Sequence, residues 1–128
     1  MSGTPAGDHA MLARMDEALR RLTLGDAKVV IVTVPPPAPN DAQGTQNTSN
    51  AVDDASYLRL ASINRRFAQR HPGQVTLVDL GPRLCPHGPP CPEFVQGERA
   101  RPDGRHFTPA AAAHYSEWLL RRIAQRRS

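Results

Sequence analysis

Val29-Val30-Ile31-Val32-Thr33-Val34, stopped at once by Pro35-Pro36-Pro37, decides the fold of this chain. All six residues before the prolines are β-branched, and only Thr33 is polar. A strand with one wet face alternates apolar and polar side chains, whereas this run offers apolar side chains to both faces. It therefore predicts a strand covered by helices on both sides, the usual setting of a parallel sheet.

A second strand follows at Val75-Thr76-Leu77-Val78-Asp79-Leu80. Between the two, residues 55–71 carry Leu60, Ile63 and Phe67 at helical spacing as a buried stripe, helped by Tyr57 and Leu58. Asp53 or Asp54 is placed to cap that helix, and Pro72-Gly73 to end it. Strand, helix, strand makes a parallel pair with a right-handed crossover. Upstream, Met11, Leu12, Met15, Leu19 and Leu22 recur at three and four across residues 10–24, with Gly25 as the stop. Downstream, Thr108 reads as the N-cap and Pro109 as the first residue of a helix running through residues 110–125. The order helix, strand, helix, strand, helix indicates the α/β class, a short parallel sheet flanked by helices.

Composition bounds the rest. At 128 residues the chain forms one domain, residues 1–128, with room for a core. Aromatics are 5%, so that core rests on Leu, Val, Ile, Met and Ala. Prolines gather in two loops, residues 35–54 and 81–101. The first is long, flexible and aperiodic; it leaves the carboxyl end of a strand, the edge where open α/β sheets take ligands. A tolerated insertion is the plainer reading there, and Asn47-Thr48-Ser49 matches the glycosylation pattern by chance. No run approaches the roughly 18 apolar residues of a membrane span, and the first residues show no basic start or apolar leader. The net charge of +4 is concentrated at Arg121, Arg122, Arg126 and Arg127, where cations oppose the negative end of a helix dipole. No aromatics interleave with them, so a solvated helix end is expected rather than a nucleic-acid surface.

The chemistry lies in Arg101-Pro102-Asp103-Gly104-Arg105-His106-Phe107-Thr108-Pro109. A carboxylate three residues before an imidazole, in a turn that opens a helix, can reach back to one ring nitrogen. That contact fixes the tautomer and leaves the other nitrogen as a general base. The bland alternative is an Asp kept near a helix start for capping and dipole reasons. Cys85, His87 and Cys91 lie together in the second loop. Free thiols are the plainest reading; a disulfide is feasible in an oxidising compartment, and the trio has poor zinc spacing with no fourth ligand.

The Asp-x-x-His block, with the Ala-rich helix and its Tyr115, Trp118 and Leu119, resembles the last sequence block of the SGNH (GDSL-type) hydrolase superfamily. Residues 28–36 and 75–80, with Arg83-Leu84-Cys85-Pro86, resemble the second half of SGNH domains found in polysaccharide O-acetyltransferases. The resemblance implies a partial three-layer flavodoxin-like SGNH fold, with only the back half of the family's domain in this chain. It implies that His106 and Asp103 are the catalytic base and its orienting carboxylate. It implies no cofactor and no metal, and as substrate an acyl ester or acetylated saccharide. A membrane acyltransferase of this kind would place the domain in the periplasm or outside the cell; otherwise the cytoplasm is expected.

The nucleophile does not carry over. Family enzymes hold their Ser in a Gly-Asp-Ser element, and further oxyanion donors in a Gly and in Gly-x-Asn-Asp. Here Gly7-Asp8-His9 has the wrong third residue, and Ala38-Pro39-Asn40-Asp41 lacks the Gly. Ser49, Ser56, Ser62 and Ser116 sit in no strand-to-helix turn that exposes a nucleophile. Two expectations of different class follow. One is the C-terminal part of an SGNH-type esterase or O-acyltransferase, completed by a missing N-terminal half. The other is a non-catalytic remnant or interaction module that binds a partner through a sheet edge left without its neighbour; on either reading the isolated chain is expected to form a homo-oligomer through that edge or to be poorly soluble.

Overall fold

The computed structural model describes residues 4–38 and 51–127. Its elements are α1 (Pro5–Leu22), β1 (Val29–Thr33), α2 (Ala51–Arg70), β2 (Val75–Asp79), α3 (Gly81–Leu84) and α4 (Pro109–Arg127). The two strands are parallel, with Val29 opposite Val75 and Thr33 opposite Asp79. Among the described residues the sheet has these two strands only.

The helices form layers on both sides of the pair. Leu12 and Leu19 of α1 and Ile63 and Phe67 of α2 pack with Val75, against Val29 and Ile31 of β1. Val32 of β1 turns instead to the other cluster, built from Leu80, Leu84, Ala100, Ala111 and Tyr115. Alternate residues of one strand thus serve two cores, which is why the run over residues 29–34 had to be apolar on both faces. The expected α/β class, with a short parallel sheet between helices, is what forms.

Polar clamps fix α1 to α2. Arg59 donates from Nε and Nη2 to the two carboxylate oxygens of Asp8, at 2.8 and 3.0 Å. At the other end Arg70 Nη2 donates to Asp16 at 2.6 Å, and His71 Nε2 lies 2.7 Å from the other Asp16 oxygen. Asp8 is therefore a buried clamp within α1 rather than part of a strand-to-helix turn.

Several boundaries differ from the sequence expectation. Helix α1 begins at Pro5 rather than residue 10, because Thr4 caps it by accepting the Gly7 N–H at 3.0 Å. Helix α2 begins at Ala51, so the loop expected over residues 35–54 gives up its last residues to a helix. The sequon, Ser49 and Asn40-Asp41 lie outside the described residues. The loop expected over residues 81–101 contains α3, whose Pro82 stands in the first turn, where no N–H is needed. Leu22, Leu58 and Leu60, expected in the buried stripes or helping them, are exposed. Leu22 is the last residue of α1, and no described element covers Leu60. No helix among the described residues is long and apolar enough to cross a membrane.

Candidate functional site

The carboxyl ends of both strands are tied together by polar side chains. Thr33 Oγ1 donates to Asp79 Oδ1 at 2.8 Å and accepts the Gly81 N–H at 3.2 Å. Arg65 of α2 donates to the same Asp79 oxygen at 3.2 Å. A small, mostly apolar recess opens beside this cluster, lined among others by Val34, Pro36, Tyr57, Leu58 and Pro82.

The Asp–His turn closes the second loop. Pro102 presets its first corner, and Gly104 donates its N–H to Arg101 O at 2.8 Å. Gly104 has φ +80°, which a side chain would resist. Asp103 Oδ1 accepts two backbone N–H groups, from Arg105 at 2.8 Å and His106 at 2.6 Å. Asp103 Oδ2 lies 2.5 Å from His106 Nδ1. The His106 side chain, then the backbone N–H groups of His106 and Arg105, hold the Asp103 carboxyl far below the usual carboxylate range. The turn leads straight into α4, where Thr108 Oγ1 accepts the Ala111 N–H at 3.1 Å. Phe107 anchors it by packing on Tyr115, ring centroids 5.3 Å apart.

Asp103 and His106 are brought together. The His106 side chain is 85% exposed, and among the described residues nothing hydrogen-bonds its Nε2. Ser56 and Ser62 lie within α2 and Ser116 within α4, so none occupies a strand-to-helix turn. Arg101 stands in the same motif, where local sequence gives it no role. Its side chain is buried and reaches across to the segment after β1, where Nη1 donates to Pro36 O at 3.0 Å. Nothing in local spacing signals that contact.

The cysteines correct the sequence reading, which favoured free thiols. Cys85 and Cys91 form a disulfide, and both are buried. It closes a short loop between α3 and the segment leading to the Asp–His turn. Closing a loop of this size is worth about 2 kcal/mol through the unfolded chain. Replacing both cysteines by serine should therefore lower Tm by roughly 6–12 °C. Thermal unfolding followed by circular dichroism checks it; an unchanged Tm would mean the loop is held without the bond.

A family model described as an SGNH domain (fused to AT3 domains) matches residues 2–121. No curated protein and no solved structure matches the chain.

Proposed function

The chain belongs to the SGNH domain family, whose members are of esterase or acyltransferase type, and on that premise we propose that it supplies the acid–base part of such a site. The observation behind this reading is one contact. Asp103 Oδ2 faces His106 Nδ1 at 2.5 Å while Nε2 remains open to solvent. A carboxylate on Nδ1 favours the Nδ1–H tautomer and leaves the Nε2 lone pair as base.

In the proposed reaction, Nε2 takes the proton from a serine hydroxyl as its oxygen attacks the acyl carbonyl. Asp103 stabilises the imidazolium that forms. The tetrahedral intermediate collapses as Nε2–H gives its proton to the leaving alcohol, and the acyl group stays on the serine. Water or a saccharide hydroxyl then gives its proton to Nε2 and attacks the acyl-serine; the serine oxygen leaves with the returned proton. Hydrolase and transferase differ only in which acceptor enters. An ester or O-acetylated saccharide is the substrate class we favour, with the apolar recess beside Thr33 a candidate place for its less polar part.

The serine and oxyanion donors are proposed to come from a segment carrying Gly-Asp-Ser and Gly-x-Asn-Asp. The open edge of β1 supports this reading. Val29 donates its N–H to Gln74 O on the β2 side, so Val30 and Val32 direct their backbone groups the other way. Among the described residues no strand pairs there. Unpaired strand groups are a template for an added strand.

The test is aryl acetate hydrolysis by the chain alone, by a mixture with such a segment, and by the mixture carrying His106→Ala. Turnover is expected only in the mixture and only with His106 present. A mixture that binds yet stays inactive would favour an interaction module instead. Activity of the chain alone, dependent on His106, would place the nucleophile among its own serines.

A further inference from the structure

We propose that Arg101 is the positioning residue of the Asp–His turn, a role that rests on the reading of Asp103 and His106 given above. The starting point is a mismatch between precision and exposure. The side chains of His106 and Asp103 are 85% and 52% exposed, so packing does not hold them. Their placement depends on the backbone turn that carries them, and the turn in turn needs anchors. Among the described residues, two bonds tie it to the segment that leaves β1. Arg101 Nη1 donates to Pro36 O at 3.0 Å, and Ala38 N donates to Gly104 O at 2.9 Å. These ties bracket Asp103 on both sides. Between Arg101 and His106, Arg101 is the only residue whose side chain is buried, at 6% exposure; the other buried residue, Gly104, has none.

The way Arg101 is buried argues against a purely stabilising role. Its Nη2 is buried with no hydrogen-bond partner among the described residues. Burial pulls the guanidinium pKa down, while Tyr115, Tyr57 and Asp103 pull it back up. A buried charge with one neutral acceptor costs desolvation that a single bond does not offset. An apolar side chain of similar length is thus expected to leave the fold equally or more stable. What it loses is the tie to Pro36 O, and with it the register of the turn. Stability and dyad geometry should therefore separate in Arg101→Met.

The experiment is long-range proton–nitrogen NMR on the 128-residue chain labelled at histidine nitrogen. Spectra are taken over a pH series carried into the alkaline range until the histidine signals stop changing, and the tautomer is read there. Wild type should show His106 predominantly as the Nδ1–H tautomer. Arg101→Met should keep its Tm or raise it, while His106 moves to the mixture dominated by Nε2–H that free histidine adopts. Arg101→Lys, which can still donate to Pro36 O, should recover most of the Nδ1–H form. Should Arg101→Met fail to fold, Arg101→Gln gives the same reading with a polar head too short for Pro36. A folded Met or Gln variant that keeps the wild-type tautomer overturns the role of Arg101 and leaves the dyad intact. A wild-type chain lacking the Nδ1–H form overturns the dyad itself, and Arg101's role with it.

Discussion

Asp103→Asn is expected to lower His106-dependent turnover in the completed site by about 10⁴-fold while leaving the turn folded. The substitution is nearly isosteric, and its effect lies in one proton. An amide oxygen in the place of Oδ1 still accepts the N–H groups of Arg105 and His106, now at 2.8 and 2.6 Å, so the turn keeps its backbone bonds. In the place of Oδ2, an NH₂ group now faces His106 Nδ1. A donor there needs an acceptor on the ring, which moves the ring proton to Nε2. The nitrogen that must take the serine proton then already carries one. Asp103→Ala should lose the turn's side-chain bonds as well, so only the Asn variant separates tautomer from scaffold. Steady-state kcat with circular dichroism on the same samples checks it. An Asn variant within tenfold of wild type would reduce Asp103 to a turn-former. Acid should be tolerated by this contact. The folded Asp103 carboxyl sits far below its unfolded value, chiefly through His106. Its contribution is therefore complete above the ordinary carboxylate pKa of ~3.9 and vanishes only as pH falls through the depressed folded value.

Local contacts were legible in the sequence, and distant ones were not. The β-branched run and its proline stop gave β1 its place, and the strand–helix–strand order gave the parallel pairing. Asp103 and His106 are three residues apart, so their contact follows from the turn they share. The same Thr-Pro signature that marked the start of α4 also stands at Thr4-Pro5, where the apolar spacing hid it. Gly7 and Asp8 break no helix in practice, since Asp8 finds Arg59 on α2 as its partner. Gly81-Pro82 reads as a breaker but suits a helix start. The disulfide depended on how closely the chain brings two cysteines together, which six residues of spacing permit without requiring. Arg101 meets Pro36 across 65 positions, and no periodicity encodes a contact of that range.

Ile63→Ala should cost about 2–5 kcal/mol, a large share of the ~5–15 kcal/mol that holds a domain of this kind folded. Ile63 is 2% exposed and lies where α2 meets α1 and the sheet, packed with Leu12, Leu19, Phe67 and Val75. Truncation removes three carbons from a site whose walls come from three different elements. Those walls are pinned by the Asp8–Arg59 and Asp16–Arg70 clamps at either end of the α1–α2 contact, so they have little freedom to close on the void. That rigidity favours the upper part of the range, because the cost grows with the cavity that remains. The neighbouring Leu60→Ala makes the contrast. Leu60 is 44% exposed on the same helix, and its loss should stay within roughly 0.5–1 kcal/mol. Urea unfolding of the two variants compares them directly, with the shift in midpoint as the readout. Equal costs would mean that α1 does not cover Ile63 in solution. A Leu60→Ala cost that becomes large only in the presence of the proposed Gly-Asp-Ser segment would show that segment seating over the exposed face of α2.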